Sequence, residues 1–183
     1  MTSERQKLPT LGLAAIAFYI AHAVESLLRR QPDNLLWVCN LAALVVGIGL
    51  LFGSPTLNAI GTYWLVAGLP LWIYDLAKGG EFLWTSMLTH AGGLAVGFLG
   101  LRKLGLPRGV WWKASLALGA LILLCRVATP PKQNINLAHA PYPGWETTFP
   151  SHLVYLMSLL ALFAAAAAAL QFGLPRLGIK GTS

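Results

Sequence analysis

Hydrophobic positions along this chain gather into six runs, each near the ~20 residues that a membrane-spanning helix requires. They predict helices at about Leu8–Leu28, Leu35–Phe52, Leu57–Leu76, Phe82–Leu101, Val110–Ala128 and Phe149–Phe172. Pro32-Asp33-Asn34, Gly53-Ser54-Pro55, Lys78-Gly79-Gly80-Glu81 and Gly105-Leu106-Pro107 break the first five apart. Connections that short make consecutive spans antiparallel neighbours. The fifth connection, Thr129 to Thr148, is long and carries Pro130, Pro131, Pro141 and Pro143, which reads as a lid, a binding loop or a disordered segment. The predicted fold class is therefore all-α, a polytopic membrane bundle of six transmembrane helices forming a single domain over 1–183, with a long non-cytoplasmic loop at 129–148.

Composition agrees with that pattern. The chain is 56% hydrophobic and 10% charged, with mean hydropathy +0.65, whereas about a quarter of a soluble domain's residues are charged. A formal charge of +7 raises the question of nucleic acid. Arg29, Arg30, Arg102, Lys103, Arg108, Lys113 and Lys132 are scattered at span ends and form no basic stripe, so membrane topology explains the excess and no nucleic-acid partner is expected. Arg5, Lys7, Arg102, Lys103, Arg108, Lys113, Arg176 and Lys180 fall on the side of the termini; Arg29, Arg30, Lys78, Arg126 and Lys132 fall on the other. This bias places both termini in the cytoplasm, in a membrane of the bacterial inner type. Basic residues before the first run and Ala21-His22-Ala23 near its end resemble a secretory signal, but Glu25 just beyond favours a retained first helix. Gly49/Gly53, Gly93/Gly97 and the strip Ala164–Ala169 predict close helix contacts. Trp37, Trp72, Trp84 and Trp145 near one interface and Trp111-Trp112 near the other read as aromatic belts.

Ionisable groups inside hydrocarbon cost a few kcal/mol each or more, so several held at one depth point to use. Helix alternation gathers such a set at the non-cytoplasmic end. His22 and Glu25, at i and i+3, share a face; Cys39, Asn40, Asp75, His90, Arg126 and His152 lie near the same level, and the long loop adds Asn134, Asn136, His139 and Glu146. The plainer readings are a Glu25–Arg29 pair, an interfacial Asp75–Lys78 pair, a solvated His139 and a His152 that starts the last helix. His90, flanked by Met87, Leu88, Leu94 and Ala95, is the deepest of the set. Three chemistries fit: a Cys39/His90 thiol–imidazole pair attacking an acyl carbonyl, histidines with Glu25 or Asp75 holding zinc, or paired histidines holding haem. No H-E-x-x-H, C-x-x-C or haem-attachment spacing is present, so the spacing names no metal or cofactor. Cys39 and Cys125 lie in different spans and read as small hydrophobes rather than a structural disulfide.

The stretch Leu35-Leu36-Trp37-Val38-Cys39-Asn40-Leu41-Ala42-Ala43 is followed by Tyr63-Trp64-Leu65-Val66-Ala67-Gly68, Thr89-His90-Ala91-Gly92, Trp111-Trp112-Lys113-Ala114 and Gln133-Asn134-Ile135-Asn136. In order and spacing, over about residues 35–165, this resembles the YwaF/TMEM164-like integral membrane proteins. The resemblance implies an acyltransferase acting on membrane lipid, with Cys39 as nucleophile and His90 as its partner. It departs at Trp37, where the resemblance would place a histidine, and in having six spans rather than seven. On this reading Asn134 or Asn136 supplies oxyanion donors, Arg126 binds a phosphate, and His22, Glu25 and His152 complete the substrate site. The alternatives are a small transporter or scaffold subunit with a polar ion or cofactor site, and a histidine-based, metal-dependent lipid hydrolase.

Overall fold

The computed structural model describes residues 6–182, and over them the chain is all-α apart from one two-residue strand pair. Helix α1 spans Pro9–Leu28, α2 Val38–Leu51 and α3 Pro55–Ala77. Helix α4 runs over 84–104, as Trp84–Met87, a π-helical turn Leu88–Gly92 and Gly93–Leu104 without a break. Helices α5 and α6 span Val110–Ala128 and His152–Gly173. Local chemistry sets the ends. Pro9 and Pro55 occupy first-turn positions where the missing N–H is harmless, and the hydroxyls of Ser54 and Ser151 accept from Leu57 N and Val154 N. Gly53 and Gly105, at φ 62° and 81°, make the left-handed turns that end α2 and α4.

Four of these helices, α1, α3, α5 and the C-terminal one, are long and apolar enough to cross a membrane. Two expected spans differ. Helix α2 has 14 residues, about 21 Å at 1.5 Å per residue, because the Pro32–Leu36 segment forms a 3-10 turn and only Val38 begins the helix. Helix α4 is interrupted by its π-turn and carries Arg102 and Lys103 in its last turn. What faces outward fits an apolar solvent: Leu116, Leu123 and Val127 on α5 and Leu153, Met157 and Leu162 on α6 are all exposed. So large an apolar surface is rare on a protein bathed in water.

The interior is built from small residues that bring backbones together. A Cβ added to Gly49 would lie 2.5 Å from Asn58 N, and one on Gly97 would lie 2.4 Å from Thr62 Oγ1. Gly12 and Gly47 similarly admit each other's carbonyls at 2.8 Å. Helix α2, with Ala42, Ala43, Val46 and Leu50 fully buried, is the central post against which α1 and α3 pack.

The helices alternate in direction, giving the bundle two chemically distinct ends. At one end the start of α1 meets the end of α2 through Leu8 N–H to Leu50 O (3.0 Å), and Leu106 N–H donates to Lys180 O (2.8 Å) beside the parallel pair Leu106–Pro107/Gly181–Thr182. The opposite end holds the 3-10 turn before α2, the α3–α4 connection and the long α5–α6 loop, tied by Arg29–Glu81 and Tyr142–Asp75 contacts. Arg29 is pushed above its ordinary range by its hydrogen bond to Glu81 and then by Glu25. Burial, and then the Asp75 carboxylate to which it donates, raise the Tyr142 phenol. Asp75 thus partners Tyr142, and Lys78 lies instead over the Tyr74 ring, 5.6 Å from its centroid.

Candidate functional site

His90 is 2% exposed and sits inside the π-turn of α4. A π-turn inserts one extra residue into the helix, a feature common at functional sites. Here the Ser86 carbonyl accepts from both Thr89 Oγ1 and His90 Nδ1, each at 2.8 Å. A carbonyl only accepts, so Nδ1 carries the proton and Nε2 is left as a bare lone pair. Nε2 is buried and has no hydrogen-bond partner among the described residues. The ring is held flat against Trp72 of α3, with centroids 4.7 Å apart and planes inclined by 15°. Among the described residues two other buried polar side-chain atoms lack partners, Asn58 Oδ1 and Tyr63 Oη; both lie nearer the start of α3, and neither is a base at neutral pH.

His22, 5% exposed, faces the same stretch of α4. Thr85 Oγ1 donates to Glu25 Oε2, so its oxygen accepts from His22 Nδ1 at 2.9 Å. The i, i+3 face expected of His22 and Glu25 is real, and Thr85 is the group that joins them. Glu25 also pairs with Arg29 at 3.0 Å, and Arg29 reaches Glu81 at 2.7 Å, so a chain of polar contacts leads from the buried imidazole to the exposed surface. The plain reading of Glu25 and the pocket reading are thus parts of one network.

Cys39, half-buried at the start of α2, packs against α3, where a Cβ on Gly68 would stand 3.1 Å from Cys39 Cβ. Cys39 and His90 thus contact α3 residues one helical turn apart, Gly68 and Trp72, whose backbones are about 6 Å apart along its axis. Pro70, between them, removes one backbone donor from α3. Asn40 Oδ1 lies 3.5 Å from Thr89 Oγ1, bringing α2 directly against the π-turn. Among the described residues no hydrogen bond joins the Cys39 thiol to the imidazole, and both cysteines are free.

The remaining expected site residues brace the long loop. Asn136 Oδ1 accepts from Val38 N (2.8 Å), while its amide donates to Leu36 O (2.7 Å) and Cys125 Sγ (3.2 Å). It is an N-cap for α2 supplied from 98 residues away. Asn134 Oδ1 accepts from His139 N and Ala140 N, and its amide donates to Ala140 O. Arg126 Nη1 donates to Ala138 O at 2.7 Å and to His152 Nδ1 at 3.3 Å, and His152 Nε2 donates to Leu137 O at 3.0 Å. His139 is not simply solvated, since its Nε2 donates to Thr129 O. The structure therefore sorts the candidates into two groups: His22, Glu25, Cys39 and His90 around α4, and Asn134, Asn136, Arg126 and His152 in the loop. Sequence reasoning passed over Thr85, Ser86 and Trp72, which set the imidazoles. The clue was three hydroxyls, Thr85, Ser86 and Thr89, with Ser86 one turn before His90, in a stretch flanked by apolar residues.

Asn136→Ala should cost about 2–3 kcal/mol, because it strips the Val38 N–H of its cap and leaves buried partners unsatisfied. Thermal unfolding of detergent-solubilised protein would show it, and an unchanged midpoint would remove the capping role.

Among the described residues no three of His, Cys, Asp and Glu converge closely enough to hold a metal ion. Two surface hollows, of about 370 Å³ beside Gln6, Ser54 and Lys103 and about 470 Å³ beside Arg108, Trp111 and Gln171, both lie at the end of the bundle away from His90. Comparisons with protein-family models, with curated proteins and with solved structures each find no match for this chain.

Proposed function

We propose that this chain is an integral membrane enzyme that transfers or hydrolyses an acyl group of a membrane lipid, with Cys39 as nucleophile and His90 as base. The observation that carries the reading is the His90 ring itself: its proton is fixed on Nδ1 by Ser86 O, its Nε2 is buried without a partner among the described residues, and it stacks on Trp72, one helical turn along α3 from the Gly68 against which Cys39 packs. A buried acceptor without a partner costs about 1–3 kcal/mol, a burden that a base at work has reason to carry. In the first half-reaction the Cys39 thiol proton passes to His90 Nε2, sulfur bonds to the acyl carbonyl carbon, and the ester C–O bond breaks. The departing lipid alkoxide takes the proton from His90. In the second half-reaction His90 removes a proton from an acceptor hydroxyl or water, which attacks the thioester and returns the thiol.

All six helices cross the membrane on this reading. The short α2 is sheltered by α1, α3 and α4, so its ends need not reach lipid, and the π-turn of α4 faces the interior. The basic residues at the end bearing the termini support a cytoplasmic placement there, leaving Cys39 and His90 under the outer leaflet of a bacterial-type inner membrane. The sequence resemblance supports the same assignment.

Incubation with an activated acyl-lipid ester, read by intact mass and peptide mapping, tests it. One acyl group should appear on Cys39 and none on Cys125, which is fully buried against Asn136. Labelling confined to Cys125, or a Cys39→Ala protein that retains activity, would end the enzymatic reading in favour of a transporter or scaffold.

A further inference from the structure

The long loop is held in a conformation that its own backbone resists. Asn134, Asn136 and Leu137 have φ of 47°, 54° and 58°, in the left-handed region that asparagine tolerates but where leucine is strained by about 1–3 kcal/mol. Such a turn persists only while its surroundings hold it. Two side chains from the flanking helices do so, gripping consecutive carbonyls: His152 of α6 holds Leu137 O, and Arg126 of α5 holds Ala138 O.

The two gripping residues also touch each other, and this contact fixes which nitrogen of His152 accepts. Arginine can only donate, so His152 Nδ1, at 3.3 Å from Nη1, must be the acceptor; the carbonyl of Leu137 requires Nε2 to carry the proton. The arrangement exists only for a neutral ring. A second proton would land on Nδ1, directly against a guanidinium, turning a hydrogen bond into a cation–cation contact. No acid offsets it: among the described residues of the loop, His139 is engaged with Thr129 O, Glu146 with Gly144 N and Tyr142 with Asp75, Lys132 is itself a cation, and Tyr155 lies alongside with its ring centroid 6.2 Å away.

We propose that residues 129–148 form an acid-released lid, in which protonation of His152 breaks the Arg126–His152 grip and frees the loop from the end of α2 that bears Cys39. The coupling to α2 is Asn136, which sits in the strained turn and caps Val38, the residue before Cys39. Opening removes the cap and uncovers the first turn of α2. As a regulator of acyl transfer the lid rests on the function proposed above; as a conformational device it does not.

Hydrogen exchange of the full chain in lipid nanodiscs, corrected for intrinsic rates and compared between about pH 8 and about pH 5, separates these two claims. Losing a hydrogen bond to a charged group should lower the protection of the 135–140 amides by about tenfold to a hundredfold at the acid end. His152→Gln, which neither titrates nor repels Arg126, should hold protection constant across the range. Arg126→Gln, which leaves His152 no cation to meet, should flatten the response by an independent route, so either variant suffices if the other folds poorly. Equal protection of the wild-type loop at both pH values, or variants that lose it in step with wild type, would overturn the lid. Acylation of Cys39 is read on the same samples. An opening loop without acylation leaves the lid standing and removes the enzyme, whereas acylation that ignores loop protection keeps the enzyme and overturns the lid as its regulator.

Discussion

His90→Phe is expected to leave the protein as stable as wild type, or up to about 1 kcal/mol more stable, while slowing acylation of Cys39 by about 10²- to 10⁴-fold. Phenylalanine keeps the stack on Trp72 and fills nearly the same space, and it removes a buried lone pair that has no partner. The hydrogen bond that it forfeits, from Nδ1 to Ser86 O, leaves that carbonyl still served by Thr89 Oγ1. A histidine kept for structure would behave in the opposite way, losing stability and leaving the thiol's chemistry untouched. Thermal unfolding and the rate of Cys39 acylation, measured on one preparation, distinguish the two. A destabilised variant acylated at the wild-type rate would return His90 to a packing role.

The largest loss of stability should come from Gly49→Leu. Even a single Cβ at this position would meet the Asn58 backbone nitrogen at 2.5 Å, and that atom belongs to the first turn of α3, so no rotamer change relieves the clash. Adding atoms to a tight core contact costs about 1–3 kcal/mol, and more where backbone must move. Leucine, with three further carbons to place between α2 and α3, is expected to exceed about 4 kcal/mol and to lower the yield of folded protein sharply. Gly119→Leu is the matched control, since a Cβ there meets nothing within 4 Å. Similar unfolding midpoints for the two variants would mean that α2 and α3 can separate without cost.

Much of this molecule is legible one segment at a time. Six apolar runs punctuated by Pro and Gly yield six helices whose ends fall within a few residues of expectation, because a helix satisfies its backbone hydrogen bonds within its own segment. One glycine of each expected pair, Gly49 and Gly97, marks a close contact, since a missing Cβ is a local property with one spatial consequence, while Gly53 turns the chain after α2. That Cys39, His22 and His90 gather toward one end of the bundle also follows from counting residues along antiparallel helices.

Partnership is different. Thr85 meets Glu25 across 60 residues, and Asn136 caps Val38 across 98. No local pattern encodes such pairs, because a side chain's partner depends on how far each helix is rotated and shifted against its neighbours. Asn134, Asn136, Arg126 and His152 were legible as polar residues at the right end of the bundle, yet only packing assigned them to the loop rather than to the thiol. The same holds for the protons: the sequence alone supplied four histidines, and tertiary contacts decided which nitrogen of His90 and of His152 is bare, because a carbonyl or a guanidinium standing beside a ring leaves it one choice of tautomer.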